Sequence, residues 1–178
     1  MSNWDEYFLN LCNAVASNSK CLSRQIGAIL VKDNIVISTG YNGPARDIPP
    51  CNERFLKDEF LYEKLIQKGA SAADIKTFDT CPRKILGFKS GEGLEWCPAV
   101  HAEKNCLLAA ARLGIKTKGA SLYINSTISS CTQCFSACIQ AGIKEIVVIK
   151  NSFFDVSVNW CNNNSSIITR EYNLQKNS

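Results

Sequence analysis

The sequence predicts a layered α/β domain. Three observations carry that prediction: an alternation of helical and strand-like segments over residues 100–149, a strand–turn–strand hairpin over 25–40, and a 46% apolar fraction in 178 residues. A chain of this size and apolarity buries a core without covalent staples. Charged residues are 20% of the total, and 20 Lys+Arg against 16 Asp+Glu leave a net +4. That balance is milder than the dense basic face of a dedicated duplex-DNA binder. No run of 18 apolar residues exists, so no membrane span is expected. The opening Met1-Ser2-Asn3-Trp4-Asp5-Glu6 lacks the basic-then-apolar order of a secretory leader. The expectation is one cytoplasmic domain over 1–178, with a cysteine-bearing insertion at about 45–100.

Taken in order, Asn3 to Ser17 reads as a helix, because Trp4, Phe8, Leu11, Cys12 and Val15 recur at three- and four-residue steps. Gln25 to Lys32 reads as a strand, Asp33-Asn34 as a turn, and Ile35 to Gly40 as the returning strand. Tyr41-Asn42-Gly43-Pro44 ends the hairpin with turn formers. Residues 45–100 are richer in Pro and Gly, with one helical stretch expected at about Glu53 to Lys68 and an irregular remainder holding Cys51, Cys81 and Cys97. A loop of that length needs something to tie it down. Val100 to Leu113 is an Ala- and Leu-rich helix closed by Gly114, and Ser121 to Asn125 is a strand. Cys131 to Ala141 is a helix closed by Gly142, and Glu145 to Ile149 is a strand. The polar tail from Asn159 to Ser178 reads as a weak edge strand around Ile167-Ile168-Thr169 followed by a frayed end.

Ten cysteines and a single histidine set the chemistry. In a reducing compartment, thiols serve as buried packing or as metal ligands. Cys12, Cys106, Cys138 and Cys161 sit singly among apolar or small neighbours and read as packing. The histidine opens His101-Ala102-Glu103, and Cys131-Thr132-Gln133-Cys134 follows thirty residues later. A lone Cys-x-x-Cys could be a redox pair, and a lone His a satisfied core residue. Together, each at the start of a helix, they supply three zinc ligands and one carboxylate that does not ligate. Helix N-termini favour thiolates, and three protein ligands leave a fourth tetrahedral position for water. Glu103 is then the catalytic proton carrier.

These motifs resemble those of the zinc-dependent cytidine/deoxycytidylate deaminase superfamily. Gly40-Tyr41-Asn42-Gly43-Pro44, Gly91-Glu92-Gly93, the run Cys97-Pro98-Ala99-Val100-His101-Ala102-Glu103 with Asn105, and Ala141-Gly142-Ile143 look like the deoxycytidylate (dCMP) deaminase family. The resemblance covers about residues 5–155. It implies a cytidine-deaminase-like three-layer α/β/α fold with a central mixed five-stranded sheet. It also implies hydrolysis of dCMP to dUMP and ammonia in a homohexamer, activated by dCTP and inhibited by dTTP, each bound with Mg²⁺. One departure stands out: the family's Pro-Cys-x-x-Cys has Ser130 in the proline position. Serine can cap the following helix through its hydroxyl.

The resemblance further implies substrate contacts from Asn42 to the deoxyribose, from Ala102, and from an aromatic at Phe153 against the base. It places the effector among Asn42, Gly43 and Asn105, with Lys20 and Arg24 to meet phosphates and Arg112 near a subunit boundary. For each there is a plainer alternative: turn chemistry for Asn42, core packing for Phe153, solvated charge for Lys20 and Arg24, and helix-end electrostatics for Arg112. Deoxycytidylate deaminases also often hold a second, structural zinc, which on this sequence points to Cys21, Cys51, Cys81 and Cys97. Their spacings of 30, 30 and 16 match no short zinc motif. Two rival functions remain open at this point. A polynucleotide deaminase would need a basic strip interleaved with aromatics, which is not evident. A zinc-stabilised interaction module would gain nothing from Glu103.

Overall fold

The computed structural model describes residues 3–76, 79–89, 91–128, 130–152 and 156–172. Its elements are α1 (Trp4–Ala16), β1 (Gly27–Lys32), β2 (Ile35–Tyr41), β3 (Gly43–Pro44), α2 (Cys51–Lys57), α3 (Glu59–Gln67), α4 (Ala72–Lys76) and α5 (Pro82–Ile85). After a short 3₁₀ turn (Leu94–Trp96) come β4 (Ala99–Val100), α6 (Ala102–Arg112), β5 (Ser121–Ile124), α7 (Thr132–Gln140), β6 (Glu145–Val148), α8 (Val156–Asn163) and β7 (Ile168–Glu171). They form two compact units: residues 1–19, 26–42 and 101–178, and residues 20–25 with 43–100.

The first unit is built on a mixed five-stranded sheet in the order β2-β1-β5-β6-β7. β1 runs antiparallel to both β2 and β5, while β5, β6 and β7 are parallel. The hairpin forms because Asp33 and Asn34 both take left-handed φ (52° and 58°), which suits the twist of a two-residue turn. Alternation along β1 then splits the core. Ala28 and Leu30 join Leu122, Ile124, Ile146 and Val148 beneath α6, α7 and α8. Ile29 and Val31 join Tyr123 and Val147 beneath Phe8, Leu9 and Cys12 of α1. The result is the three-layer α/β/α arrangement expected from the sequence.

Two glycines let helices lie directly on the sheet. A Cβ on Gly27 would stand 2.1 Å from the Cys12 carbonyl oxygen of α1. One on Gly40 would stand 2.3 Å from the Cys106 amide nitrogen and 2.6 Å from the Ala102 oxygen, both in α6. No side chain fits either gap. The α1 face is further closed by a polar network. Arg170 on β7 donates to both Asp5 and, at 2.9 Å, Glu145, while the Tyr123 hydroxyl donates to Asp5 at 2.9 Å. Its hydrogen bonds from Arg170 hold the Asp5 carboxyl below its ordinary value.

The structure departs from the sequence reading in four places. The stretch expected at Glu53 to Lys68 is two helices broken at Asp58, whose carboxylate caps α3 by accepting from the Leu61 amide at 2.9 Å. The excursion is ordered by a small core of its own: Phe55, Leu61, Leu65 and Ile75, with Leu22 and Trp96 packed on it. The helix expected from Val100 starts at Ala102, because Ala99 and Val100 pair with Pro44 and Gly43. The tail holds a helix, α8, that its Val- and Asn-rich sequence does not suggest; burial of Val158 and partial burial of Cys161 against the core override weak propensity. β7 is a parallel strand on β6. Among the described residues, no helix is long and apolar enough to cross a membrane.

Two outcomes follow from this packing. Gly40→Ala should destabilise the protein by about 1–3 kcal/mol in denaturant titration, since the added methyl meets main chain that has nowhere to move. Thr39→Ala beside it, exposed, should stay within about 0.5 kcal/mol of wild type. Asp5 has a folded pKa depressed below 3.8, so its stabilisation is fully present above that value and is lost as pH falls through the lower folded value. Asp5→Asn should therefore be less stable than wild type at pH 7, and the two unfolding curves should converge at acid pH.

Candidate metal centre

The topology gathers one set of residues at one end of the sheet. Parallel β5 and β6 deliver the chain to the start of the helices that follow them, so α7 begins beyond their carboxyl ends. α6 runs into β5 and β1 pairs antiparallel with it, Ala28 opposite Ile124, which brings the start of α6 and the end of β2 to that same edge. Ligands bind at this end of open α/β sheets.

His101 and Cys131 are the N-cap residues of α6 and α7. Both are extended (φ −68°, ψ 153° and φ −70°, ψ 162°), and neither side chain caps its own helix. The side chains are left to face each other across two positive helix ends. His101 Nδ1 lies 3.4 Å from the Cys131 sulfur and 3.5 Å from the Cys134 sulfur. The donor atoms of the three residues lie within 4.8 Å of one another, the one such group among the described residues. Lys104 donates to Gln133 at 2.8 Å and ties the first turns of the two helices together. Cys134 is fully buried, and His101 and Cys131 are partly so.

The electrostatics is that of a shared negative charge. Hydrogen bonds from the Cys134 thiol and then from His101 draw the Cys131 thiol well below its ordinary pKa. The Cys134 thiol is driven up, first by that same bond to Cys131 and then by burial. The bond to Cys131 also raises His101. Two sulfurs that hold one anion between them, beside an imidazole nitrogen, suit a divalent cation that stabilises both as thiolates. One nitrogen and two sulfurs at this spacing suit zinc, which His101, Cys131 and Cys134 could hold.

Glu103 sits in the first turn of α6, 7% exposed, and its charge acts on both His101 and Cys134. It stands beside the three ligands without belonging to them. Ala102, 1% exposed, lies between His101 and Glu103. Asn42 follows β2, 8% exposed, and the neighbouring Tyr41 carbonyl accepts from the Asn105 side chain of α6 at 2.8 Å. Arg112 is exposed in the last turn of α6. Lys20, Arg24 and Gly43 fall in the second unit. Phe153 lies outside the described residues.

Ser130 does not cap α7. The cap position is Cys131, one residue later, and the Ser130 hydroxyl is buried with no hydrogen-bond partner among the described residues. The expectation failed by one position in register: from residue 130 the side chain precedes the helix instead of closing it. Two features were missed altogether. Gln133 and Lys104 flank the motif residues but carry no recognisable spacing. Ser19, buried against Asn42, comes from an irregular segment and is visible only in three dimensions.

The second cysteine set lies within the second unit. Burial, and then the charges of Cys97, Cys81 and Cys21, push the Cys51 thiol up to about 12. The four are thus electrostatic neighbours, although the 4.8 Å spacing met at His101 is not met among them.

Known proteins resemble this chain in sequence and in fold. A model of the cytidine and deoxycytidylate deaminase zinc-binding region matches residues 2–150. The deoxycytidylate deaminase of Mycobacterium phage D29 is 33% identical over 155 residues, covering 84% of this chain and 97% of that protein. The deoxycytidylate deaminase of Schizosaccharomyces pombe is 33% identical over 145 residues, but the match spans only 36% of its length. The crystal structure of the dCMP deaminase of cyanophage S-TIM5, in complex with dCMP and dUMP, shares the fold with a TM-score of 0.64. It is 18% identical, over 97% of this chain and 99% of that one. Since the family match takes in both helix N-termini and most of the rest of the sequence, this chain belongs to the cytidine and deoxycytidylate deaminase family.

Proposed function

We propose that the protein hydrolyses dCMP to dUMP and ammonia. The observation that carries this reading is the buried Glu103 carboxylate beside a His101–Cys131–Cys134 donor set, in a chain whose relatives are named deoxycytidylate deaminases. Zinc held by those three residues supplies the Lewis acidity that makes water nucleophilic near neutral pH. Glu103 moves the protons: it takes one from the attacking water and delivers it to ring N3, then takes the remaining proton from the new C4 hydroxyl and carries it to the departing amino group. The water oxygen bonds to C4, the exocyclic C4–N4 bond breaks and ammonia leaves, and the base remains on the deoxyribose phosphate as the uracil of dUMP. Asn42 meets the deoxyribose, Ala102 packs by the base with its neighbour Glu103, and Phe153 supplies an aromatic face.

The proposal extends to regulation and assembly. A dCTP–Mg²⁺ complex activates and a dTTP–Mg²⁺ complex inhibits a homohexamer, with Asn42, Asn105 and Arg112 among the responding residues. The reaction belongs in the cytoplasm, where Cys131 and Cys134 stay reduced. A second, structural zinc binds Cys21, Cys51, Cys81 and Cys97. Support for it is the action of Cys97, Cys81 and Cys21 on the Cys51 thiol, a repulsion that a cation would convert into ligation.

Ammonia release with dCMP, deoxycytidine and an oligonucleotide, each with and without dCTP, tests the substrate class. Turnover should be confined to dCMP and its saturation should become hyperbolic with dCTP; turnover of the oligonucleotide alone would reject the reading. Glu103→Gln should keep its zinc and lose at least the ~10²–10⁴-fold typical of a general acid–base group. Metal analysis separates the two sites. Cys134→Ser should lose zinc together with activity. Cys51→Ser should fall from about two ions per chain to about one and lose thermal stability, with turnover at the remaining metal largely retained.

A further inference from the structure

The reaction proposed above acts on a nucleotide, yet none of the residues given to its substrate meets the 5′-phosphate that distinguishes dCMP from deoxycytidine. The group needed is a cation near the metal centre that is not already spent on a carboxylate. Most described cations of the first unit do not qualify. Arg170 is committed to Asp5 and Glu145, and Lys32 bonds the Lys118 carbonyl. Arg112 leaves the last turn of α6, and the lysines that precede β5 and β6 stand at the opposite end of those strands.

Lys104 is the exception. It lies in the first turn of α6, about one helical turn along from His101. Among the described residues no carboxylate pairs with it. Its charge acts on both His101 and Cys134. Its side chain is held by Gln133, whose side-chain oxygen accepts from the ammonium at 2.8 Å. That bond settles which way the Gln133 amide faces. An ammonium only donates, so the amide oxygen is turned toward it and the NH₂ away. Gln133 is exposed, and the ammonium keeps two further N–H groups. The pair therefore offers several donors, one positive charge and no spare acceptor. Gln133 stands between Cys131 and Cys134 in the chain and Lys104 directly after Glu103, which puts the pair on the rim of the centre. The phosphate is the one part of dCMP that is anionic and can accept from several donors at once.

We propose that Lys104, held in place by Gln133, recognises the 5′-phosphate and so selects the nucleotide over the nucleoside. This rests on dCMP being the substrate. A contact to a group remote from the reacting C4 is made alike before and during the chemical step, so it sets KM and leaves kcat alone.

Calorimetry with dUMP and deoxyuridine, together with steady-state kinetics on dCMP, provides the test, with zinc content measured on every variant. Wild type should bind dUMP more tightly than deoxyuridine. Lys104→Met should weaken dUMP binding and raise KM for dCMP about ten- to a hundredfold, with deoxyuridine affinity, kcat and zinc within about twofold of wild type. Lys104→Arg should recover most of the loss, because charge and donors return. Gln133→Glu should lose the preference with Lys104 intact, since the new carboxylate pairs with the ammonium and repels phosphate. Lys150→Met removes an exposed charge just after β6 and should leave both affinities within about twofold. Equal weakening of dUMP and deoxyuridine in Lys104→Met, or loss of kcat or zinc, would overturn the proposal and make Lys104 a support of the centre. A preference that disappears in Lys150→Met and persists in Lys104→Met would also overturn it. A wild-type protein that turns over no dCMP, or binds dUMP no better than deoxyuridine, would instead overturn the dCMP reading itself.

Discussion

The centre depends on how closely α6 approaches β2. His101 caps α6 and Glu103 occupies its first turn, so both move with the start of that helix. The start is seated where Gly40 leaves no room for a side chain, main chain against main chain. On the sheet's other face Gly27 admits α1 in the same way. Two absent side chains thus set the distance from sheet to helices on both faces. Interiors packed to crystal density transmit such distances with little slack. The lateral position of α6 is fixed by its bonds, through Asn105 to Tyr41 and through Lys104 to Gln133. The three donor side chains meet because the supports under them are rigid, and neither N-cap side chain is used to close its own helix.

Much of this was legible in the sequence because the decisive signals are short. His101-Ala102-Glu103 and Cys131 to Cys134 each open a helix, and the helix periods, the hairpin turn at Asp33-Asn34 and the closing glycines announce themselves within a few residues. What stayed hidden depends on contacts between segments. α8 forms around a buried Val158 although its residues have little helical preference. The core of the second unit draws Phe55, Leu61 and Leu65, and Ile75 from three different helices, so no single window shows its period. Ser130 was read one position out, since a hydroxyl just before a helix and one at its cap look alike in a string of letters. Ser19 has no local signature, because the oxygen its hydroxyl bonds lies 23 residues away.

The cysteines divide along the same physical lines. Cys12, Cys106 and Cys138 are fully buried, and desolvation is the first cause raising each, as befits neutral thiols used as small apolar groups. Cys131 is drawn the opposite way, toward the thiolate. Of the four thiols in α6, α7 and the residue that caps α7, Cys106 and Cys138 are held neutral by burial, while Cys131 is drawn toward the thiolate at the expense of Cys134, whose thiol donates to it.

The tie between Arg170 and Asp5 also bears on the order of assembly during synthesis. The two residues are 165 positions apart, and Asn3 bonds the Tyr172 hydroxyl across 169. While the chain is being made, α1 exists long before the strand that completes its polar cover. It can already pack Phe8 against the tilted ring of Tyr123 once β5 has emerged, but Asp5 must wait in water for a guanidinium still to be translated. Closing so long a loop is slow compared with forming the β1–β2 hairpin. The α1 face of the sheet is therefore the last to lock, and a nascent chain interrupted before residue 170 would carry the metal ligands on a sheet with one face still open.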